Sequence, residues 1–192
     1  MSRVVFLLEE PSMKVLLEGL LPRLLPSLPF LCITHEGKQD LERSIPRKLK
    51  AWREPGVRFV VVRDNDRGDC HALKARLVDL CREAGHPETL IRIACQELEA
   101  WYLGEPEALA QAYGERQRLS GLANKAKYRN PDALDRPSEE LAKLVPAYQK
   151  ISGARRLSAL LTEERNRSNS FHVFLAGARR IATAIARNEE VG

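Results

Sequence analysis

Apolar residues fall along the chain in two patterns. Short apolar runs occur at Val4 to Leu8, Phe30 to Thr34 and Phe59 to Val62, and Leu90 to Ala94 gives a fourth short strand. Runs that do not alternate with polar residues fit strands of a parallel sheet covered on both faces. Between them the apolar positions take helical spacing: Val15, Leu16, Leu20 and Leu24 after Pro11-Ser12; Leu41, Ile45, Leu49 and Trp52 within Asp40 to Trp52; Leu73, Leu77, Leu80 and Cys81 within Ala72 to Ala84, stopped by Gly85. Pro46 is expected in the first turns of its helix or at a bend. Strand and helix in alternation predict an α/β fold, a four-stranded parallel sheet with right-handed crossovers and helices on both faces.

From Leu98 onward the pattern is mainly helical, with helices expected over Glu105 to Tyr113, Glu139 to Tyr148, Arg155 to Leu161 and Phe171 to Ala186, separated by AKYRNPDALDRPS and ERNRSNS. Residues 1–104 are expected to form the α/β core and 105–192 a helical extension packed on it. No Pro/Gly/Ser linker marks the boundary, so a single domain is the alternative.

Three strands end in acids. Glu9 and Glu10 follow the first, Asp64 and Asp66 the third, and Glu97 and Glu99 the fourth. Ligands of open α/β sheets bind at the carboxyl ends of strands. The stretch RFVVVRDNDRGDC organises the reading, because residues i and i+2 of an extended chain point the same way and Asp64 and Asp66 would then share one hard cation. Mg²⁺ takes oxygen ligands and is usually held by one or two carboxylates plus substrate phosphate. Glu9, Asp64 and Asp66 supply that donor set, and a bound ion would activate water against a phosphodiester. The plain alternative is a solvated acidic turn. Carboxylates gathered at one sheet edge argue against it, since they repel unless a cation or an Arg neutralises them.

Composition narrows the class. The 192 residues are 44% hydrophobic and 30% charged, as in a globular protein, and no apolar run approaches the length of a membrane span. The N-terminal MSRVVFLLEEP reads as a strand and not a signal peptide. Cys32, Cys70, Cys81 and Cys95 are widely spaced, so a reduced cytoplasmic protein is expected, without a zinc knuckle or disulfide framework. The formal net charge is +5, and residues 101–192 carry 15 Lys+Arg against 11 Asp+Glu. That excess permits nucleic-acid contact.

Other acidic architectures fit less well. Counted from Asp64, an EF-hand would need Gly and Glu where Asp69 and Ala75 stand. A phosphoacceptor receiver domain also places acids after strand one and an Asp after strand three, as Glu9, Glu10 and Asp64 stand here, but it needs a hydroxyl residue after strand four, where Ala94 and Cys95 stand, and a Lys after a fifth strand that is not evident. A haloacid-dehalogenase-type phosphatase would put its DxD after the first strand.

Glutamate after strand one with DxD after strand three resembles the Toprim domain, shared by topoisomerases, primases and the overcoming-lysogenization-defect (OLD) nucleases. The stretches LLEEPSMKVLL, HEGKQDLERSIPRKLKAW, FVVVRDNDRGDC, RIACQELEAWYLGE, AKYRNPD, YQKISGARR and SNSFHVF are similar to one bacterial branch, the domain of unknown function 4276 family (RloG-like, Toprim-related). The resemblance implies a Toprim-like, Rossmannoid core with Glu9 as the motif glutamate and Asp64 and Asp66 as the aspartate pair. Glu97 and Glu99 are then candidates for a second metal or for orienting water, and Glu9, Asp64, Asp66 and Glu97 the catalytic set. The expected activity is that of a Mg²⁺- or Mn²⁺-dependent nuclease on DNA or RNA. A non-catalytic module binding nucleic acid or an ATPase partner is the alternative. Members of the branch are often encoded beside an ATPase, and the resemblance implies a role in phage defence. Toprim domains follow the glutamate with Gly, whereas Glu10-Pro11 stand here, which leaves open which glutamate is the ligand.

Outside the acids, Lys125, Lys127, Tyr128 and Arg129 form a basic cluster with an aromatic, suited to phosphate contact and base stacking, or else a solvated loop. His35 and Glu36 follow strand two, where His35 would act as acid or base or simply hydrogen-bond the backbone. Cys70-His71 is expected at a helix start, Ser168 to Ser170 as a helix N-cap, and Trp52, Trp101, Tyr102, Phe171 and Phe174 in the core.

Overall fold

A computed structural model describes residues 2–119 and 121–190. Four strands, β1 (Val4–Leu8), β2 (Phe30–Thr34), β3 (Arg58–Asp64) and β4 (Leu90–Ala94), form one sheet in the order β2-β1-β3-β4. Every pairing is parallel, with Val4 opposite both Phe30 and Arg58, and Asp64 opposite Ala94. All five residues of β1 are buried, as expected of a central strand covered on both faces. The expected α/β architecture, with helices on both faces and a helical second half, is the one observed.

Helices α1 (Pro11–Leu24), α2 (Lys38–Ala51) and α3 (Cys70–Glu83) connect the strands. Pro11 opens α1 at a position where a missing N–H costs nothing, and Asp69 caps α3 by accepting from the N–H groups of His71 and Ala72. Strand alternation sorts the sheet's side chains into two cores. Val5, Leu7, Phe59, Val61 and Ile91 pack against Leu41, Ile45 and Leu49 of α2 and Leu73 and Leu77 of α3. Val4, Phe6, Leu8, Val60, Val62 and Ala94 face the other way, toward α1 and the second half of the chain. Each buried Leu or Phe contributes roughly 1.5–3 kcal/mol relative to exposure.

That second half comprises α4 (Glu99–Leu103), α5 (Pro106–Tyr113), α6 (Arg116–Leu119), three single 3-10 turns between Leu122 and Ala133, α7 (Pro137–Leu144), α8 (Lys150–Ser158) and α9 (Asn169–Glu190). The one-turn helix α4 was not expected from the pattern; it places Trp101, Tyr102 and Leu103 in the core. Trp101 packs against Phe171 and Phe174 of α9, and Trp52 stays partly buried, edge-on to Phe59. Helix α8 lies along α1 so closely that a Cβ on Gly19 would stand 2.2 Å from Ser158 Oγ. Arg23 of α1 completes the contact by donating to the carbonyls of Ser158 and Leu161 at 3.0 and 2.6 Å. No described helix is long and apolar enough to cross a membrane.

Candidate metal and phosphate site

The carboxyl edge of β1 and β3 brings Glu9 and Asp64 together. Asp64 is the last residue of β3, on the same face as Val60 and Val62, and is 7% exposed. Its backbone N–H donates to Glu9 Oε2 at 3.2 Å, which ties the two strand ends to each other. Its own Oδ1 is buried with no hydrogen-bond partner. Burial, then the carboxylates of Glu9, Glu99 and Glu10, push the Asp64 carboxyl well above the usual range, offset in part by a hydrogen bond from the Leu98 backbone. Glu9 is raised as well, by burial and by Asp66, against the Asp64 N–H and Arg63. Arg63, buried on the opposite face of β3, stands 3.7 Å from Glu9 and pairs with Glu42, which also takes Arg76 at 2.8 Å.

Asp66 does not continue the strand. The chain turns at Asn65, and Asp66 and Arg67 adopt φ of 47° and 64°, so the extended geometry that would aim Asp64 and Asp66 the same way is absent. This corrects the expected DxD arrangement. Asn65 causes the turn: its Nδ2 donates to Gly68 O, its Oδ1 accepts from Gln96 N, and Asp66 N donates to Gln96 O. Asp66 ends exposed at the rim, 3.0 Å from Lys38 Nζ, yet near enough to raise Glu9.

The two acids after β4 separate. Glu97 turns outward, where its Oε2 accepts from Ser138 N at 2.6 Å and caps α7. Glu99, 1% exposed in α4, turns inward toward Asp64. Tyr148 donates to its Oε1 at 2.8 Å, while Oε2 has no partner; burial raises its pKa, and Lys150 and Tyr148 lower it in part. Helix α8 delivers Lys150 to the same cluster, with Nζ 2.8 Å from Glu10 Oε2. Glu10 is therefore engaged by Lys150 and Ser12, whereas Glu9 holds the strand end. Lys150, Tyr148 and Arg63 were not singled out from sequence. Their relevance comes from packing, and the sequence signal was their position in the stretches that carry the resemblance, Tyr148 and Lys150 in YQKISGARR and Arg63 in FVVVRDNDRGDC.

The remaining candidates lie elsewhere. Tyr128 is 5% exposed and its hydroxyl binds Glu140, so its ring is not free to stack on a base. Lys127 is paired with Glu140 at 2.6 Å, and Lys125 and Arg129 are exposed. The adjoining cavity of about 200 Å³ mixes Lys127, Arg136 and Lys143 with Asp135, Glu139 and Glu140, which makes it amphoteric. His35 Nδ1 lies 2.8 Å from Leu8 O, and burial lowers its pKa, as fits a neutral backbone-bonding histidine. Glu36 is exposed. Ser168 caps α9 through Phe171 N, and Asp132 accepts from Ser168 Oγ, Ser170 N and Ser170 Oγ. Ser170 Oγ in turn accepts from Cys95 N and Trp101 Nε1, which anchors α9 to the end of β4.

The donor chemistry at the site suits a hard cation: anionic oxygens, two of them buried and unpartnered, Asp64 Oδ1 and Glu99 Oε2. Among the described residues no three acids, histidines or cysteines converge as a preformed metal cage. Mg²⁺ does not require one, because it keeps several waters and takes one or two carboxylates.

The fold is shared with solved structures. The C-terminal region of the Burkholderia pseudomallei OLD protein superimposes with a TM-score of 0.62 at 19% identity, covering 96% of this chain and 99% of that one. The C-terminal region of the Xanthomonas campestris pv. campestris OLD protein gives 0.57 at 16% identity, over 99% and 98%. No curated protein sequence matches the chain. Residues 8–177 match the Domain of unknown function (DUF4276), and the chain belongs to that family.

Proposed function

We propose that the protein is a Mg²⁺- or Mn²⁺-dependent phosphodiester hydrolase acting on nucleic acid, with Glu9 and Asp64 as the cation's carboxylates and Glu99 and Asp66 at its flanks. The observation that carries this reading is Asp64: a carboxylate on a buried strand end, with one oxygen unpartnered and three other acids raising its pKa. Arg63 and Lys150 offset this crowding only in part, since Glu9 and Glu99 stay raised, and a further positive charge would relieve it. A bound divalent ion would supply polarisation of a phosphoryl oxygen and a water acidic enough to attack at neutral pH.

The chain's own residues then have distinct tasks. Arg63 and the Asp64 N–H fix the Glu9 carboxylate. Lys150 places a point charge beside the acids, where it would meet the charge that builds on a phosphate in the transition state. Glu99, kept high by burial and oriented by the Tyr148 hydroxyl, can hold a proton close to the leaving oxygen. The OLD-like fold and the resemblance to a branch associated with phage defence support nucleic acid as substrate and an ATPase as partner.

Calorimetric titration with Mn²⁺ and an oligonucleotide cleavage assay test the reading together. Wild-type protein should bind and cleave, and Asp64→Asn should lose both while keeping its fold. Equal Mn²⁺ binding and cleavage by Asp64→Asn would sink the proposal. A second reading, a non-catalytic module that binds nucleic acid or an ATPase, is favoured by Lys150 and Lys38 already serving as counter-ions to Glu10 and Asp66. Salt-dependent binding with no turnover in Mg²⁺ or Mn²⁺ would support it.

A further inference from the structure

A second charged region lies at the opposite, amino-terminal end of the sheet, where α9 crosses the starts of β3 and β4. A cavity of about 260 Å³ opens there, lined by Phe59, Leu90 and Ile181 together with Arg58 and Arg180. Among the described residues the guanidinium groups of Arg58 and Arg180 enter no hydrogen bond or ion pair. Glu88 also lines the cavity and is held 3.3 Å from His86 Nδ1.

A third arginine lies beneath them. Arg92 is 7% exposed, and its recorded acceptors are backbone carbonyls, Val173 O at 3.1 Å and Ile91 O at 2.8 Å, with no described carboxylate opposite. Burial and the like charge of Arg180 both depress its pKa. Gly177 is what admits this guanidinium under the helix, since a Cβ there would stand 2.6 Å from Arg92 Nη2 and 2.8 Å from Leu90 Cδ2. A buried cation without a countercharge projects its field through the low-dielectric wall into the groove above.

Helix α9 continues the pattern. No acid occurs between Asn169 and Asn188. Its exposed residues Ala176, Arg180, Thr183, Ala184 and Arg187 are small or basic and line a shallower cavity of about 510 Å³, which shares Arg180 and Ala184 with the first. Small side chains between arginines let a backbone approach closely, and fixed positive charge matches phosphates spaced along a strand.

We propose that this groove binds the phosphodiester backbone of a nucleic-acid strand, with Arg58 and Arg180 as phosphate contacts and Arg187 extending the track. The assignment rests on the hydrolase reading only in naming where the strand leads. From Ser170, in the first turn of α9 and beside the end of β4, the helix reaches Arg180 about 15 Å further on at about 1.5 Å per residue. At the duplex rise of about 3.4 Å per nucleotide that span is at most about four nucleotides, and fewer for an extended single strand. The groove thus holds a strand several nucleotides away from the acids and sets a minimum substrate length.

Fluorescence anisotropy with a single-stranded DNA of about 20 nucleotides, in EDTA and over a salt series, tests the assignment without requiring turnover. Arg58→Ser/Arg180→Ser should weaken binding at least tenfold at about 50 mM salt and flatten the log–log salt slope by about one per arginine. Arg180→Lys, which keeps the charge, should recover most of the affinity, and a dinucleotide should not distinguish the variants from wild type. An equal loss in Lys50→Ser/Lys74→Ser, exposed positions on α2 and α3, would show a net-charge effect and overturn the proposal. Complete displacement of the oligonucleotide by millimolar inorganic phosphate would also overturn it, in favour of a free-phosphate site. If cleavage is never seen but the arginine dependence holds, the hydrolase reading fails and the groove stands.

Discussion

Lys150 and Glu10 are separated by 140 positions in the chain, yet Nζ and Oε2 lie 2.8 Å apart. The contact joins the first residue of α8 to the residue that precedes α1, and it places the cationic side chain of the second half against the acids of the sheet. Burial acts against the Lys150 charge, but the hydrogen bond to Glu10 and the fields of Glu10, Glu99 and Asp64 together raise its pKa.

Lys150→Met should separate activity from stability. An exposed ion pair contributes at most about 1 kcal/mol, so the thermal midpoint should fall by less than about 4 °C. Cleavage should fall about 100-fold, the scale for losing one group that stabilises developing charge. Single-turnover kinetics beside scanning calorimetry check both. A matched small loss in each would remove Lys150 from the reaction.

Asp64 sets a pH dependence whose sign follows from its environment. A carboxyl whose folded pKa is raised binds more protons in the native state than in the unfolded one. Its proton-linked stability is present at low pH and is lost as pH climbs from the ordinary aspartate value through the raised one. Without metal the protein should therefore be more stable toward guanidinium in mildly acidic buffer than at pH 8. Asp64→Asn should flatten that slope, and Mg²⁺ should restore stability at pH 8 in wild type only.

Asp132 is the hub between the 3-10 turns and α9, accepting three hydrogen bonds from Ser168 and Ser170. Asp132→Ala leaves the buried Ser170 N–H without its acceptor and should cost about 2–4 kcal/mol. Chemical denaturation should show this as a lower midpoint with an unchanged slope.

Gly19→Ala tests whether the close α1–α8 contact positions the site. The added Cβ would meet Ser158 Oγ at 2.2 Å and Ser158 Cβ at 2.7 Å, forcing the helices apart at a cost of about 1–3 kcal/mol. Cleavage should fall with it, because α8 carries Lys150. Adding Ser158→Gly removes both clashing atoms and should return activity as well as stability, an outcome that generic core damage does not predict.

The sheet was legible because its strands are short, mostly apolar runs set between helical patterns, and Glu9 and Asp64 were legible because they stand at the ends of two of them. The aspartate pair was read too simply. Asn65 bridges Gly68 and Gln96 and rotates the backbone before Asp66, a side-chain effect that spacing alone does not reveal. Glu97 and Glu99 looked equivalent, but a single helical turn at α4 sends one to cap α7 and buries the other. Tyr128 had the composition of a stacking residue; its burial against Glu140 depends on how α7 packs. Lys150 was invisible for the same reason, since nothing local says that α8 will lie on α1.

The arrangement of α8 on α1 also fixes a timetable. The ribosome releases Glu9, Glu10, Asp64 and Glu99 well before Tyr148 and Lys150. Until α8 emerges and docks, Glu99 lacks its phenolic donor and Glu10 its ammonium, so burying the acids costs the most at that stage. A nascent chain of this protein carries these acids without their partners until α8 has been made.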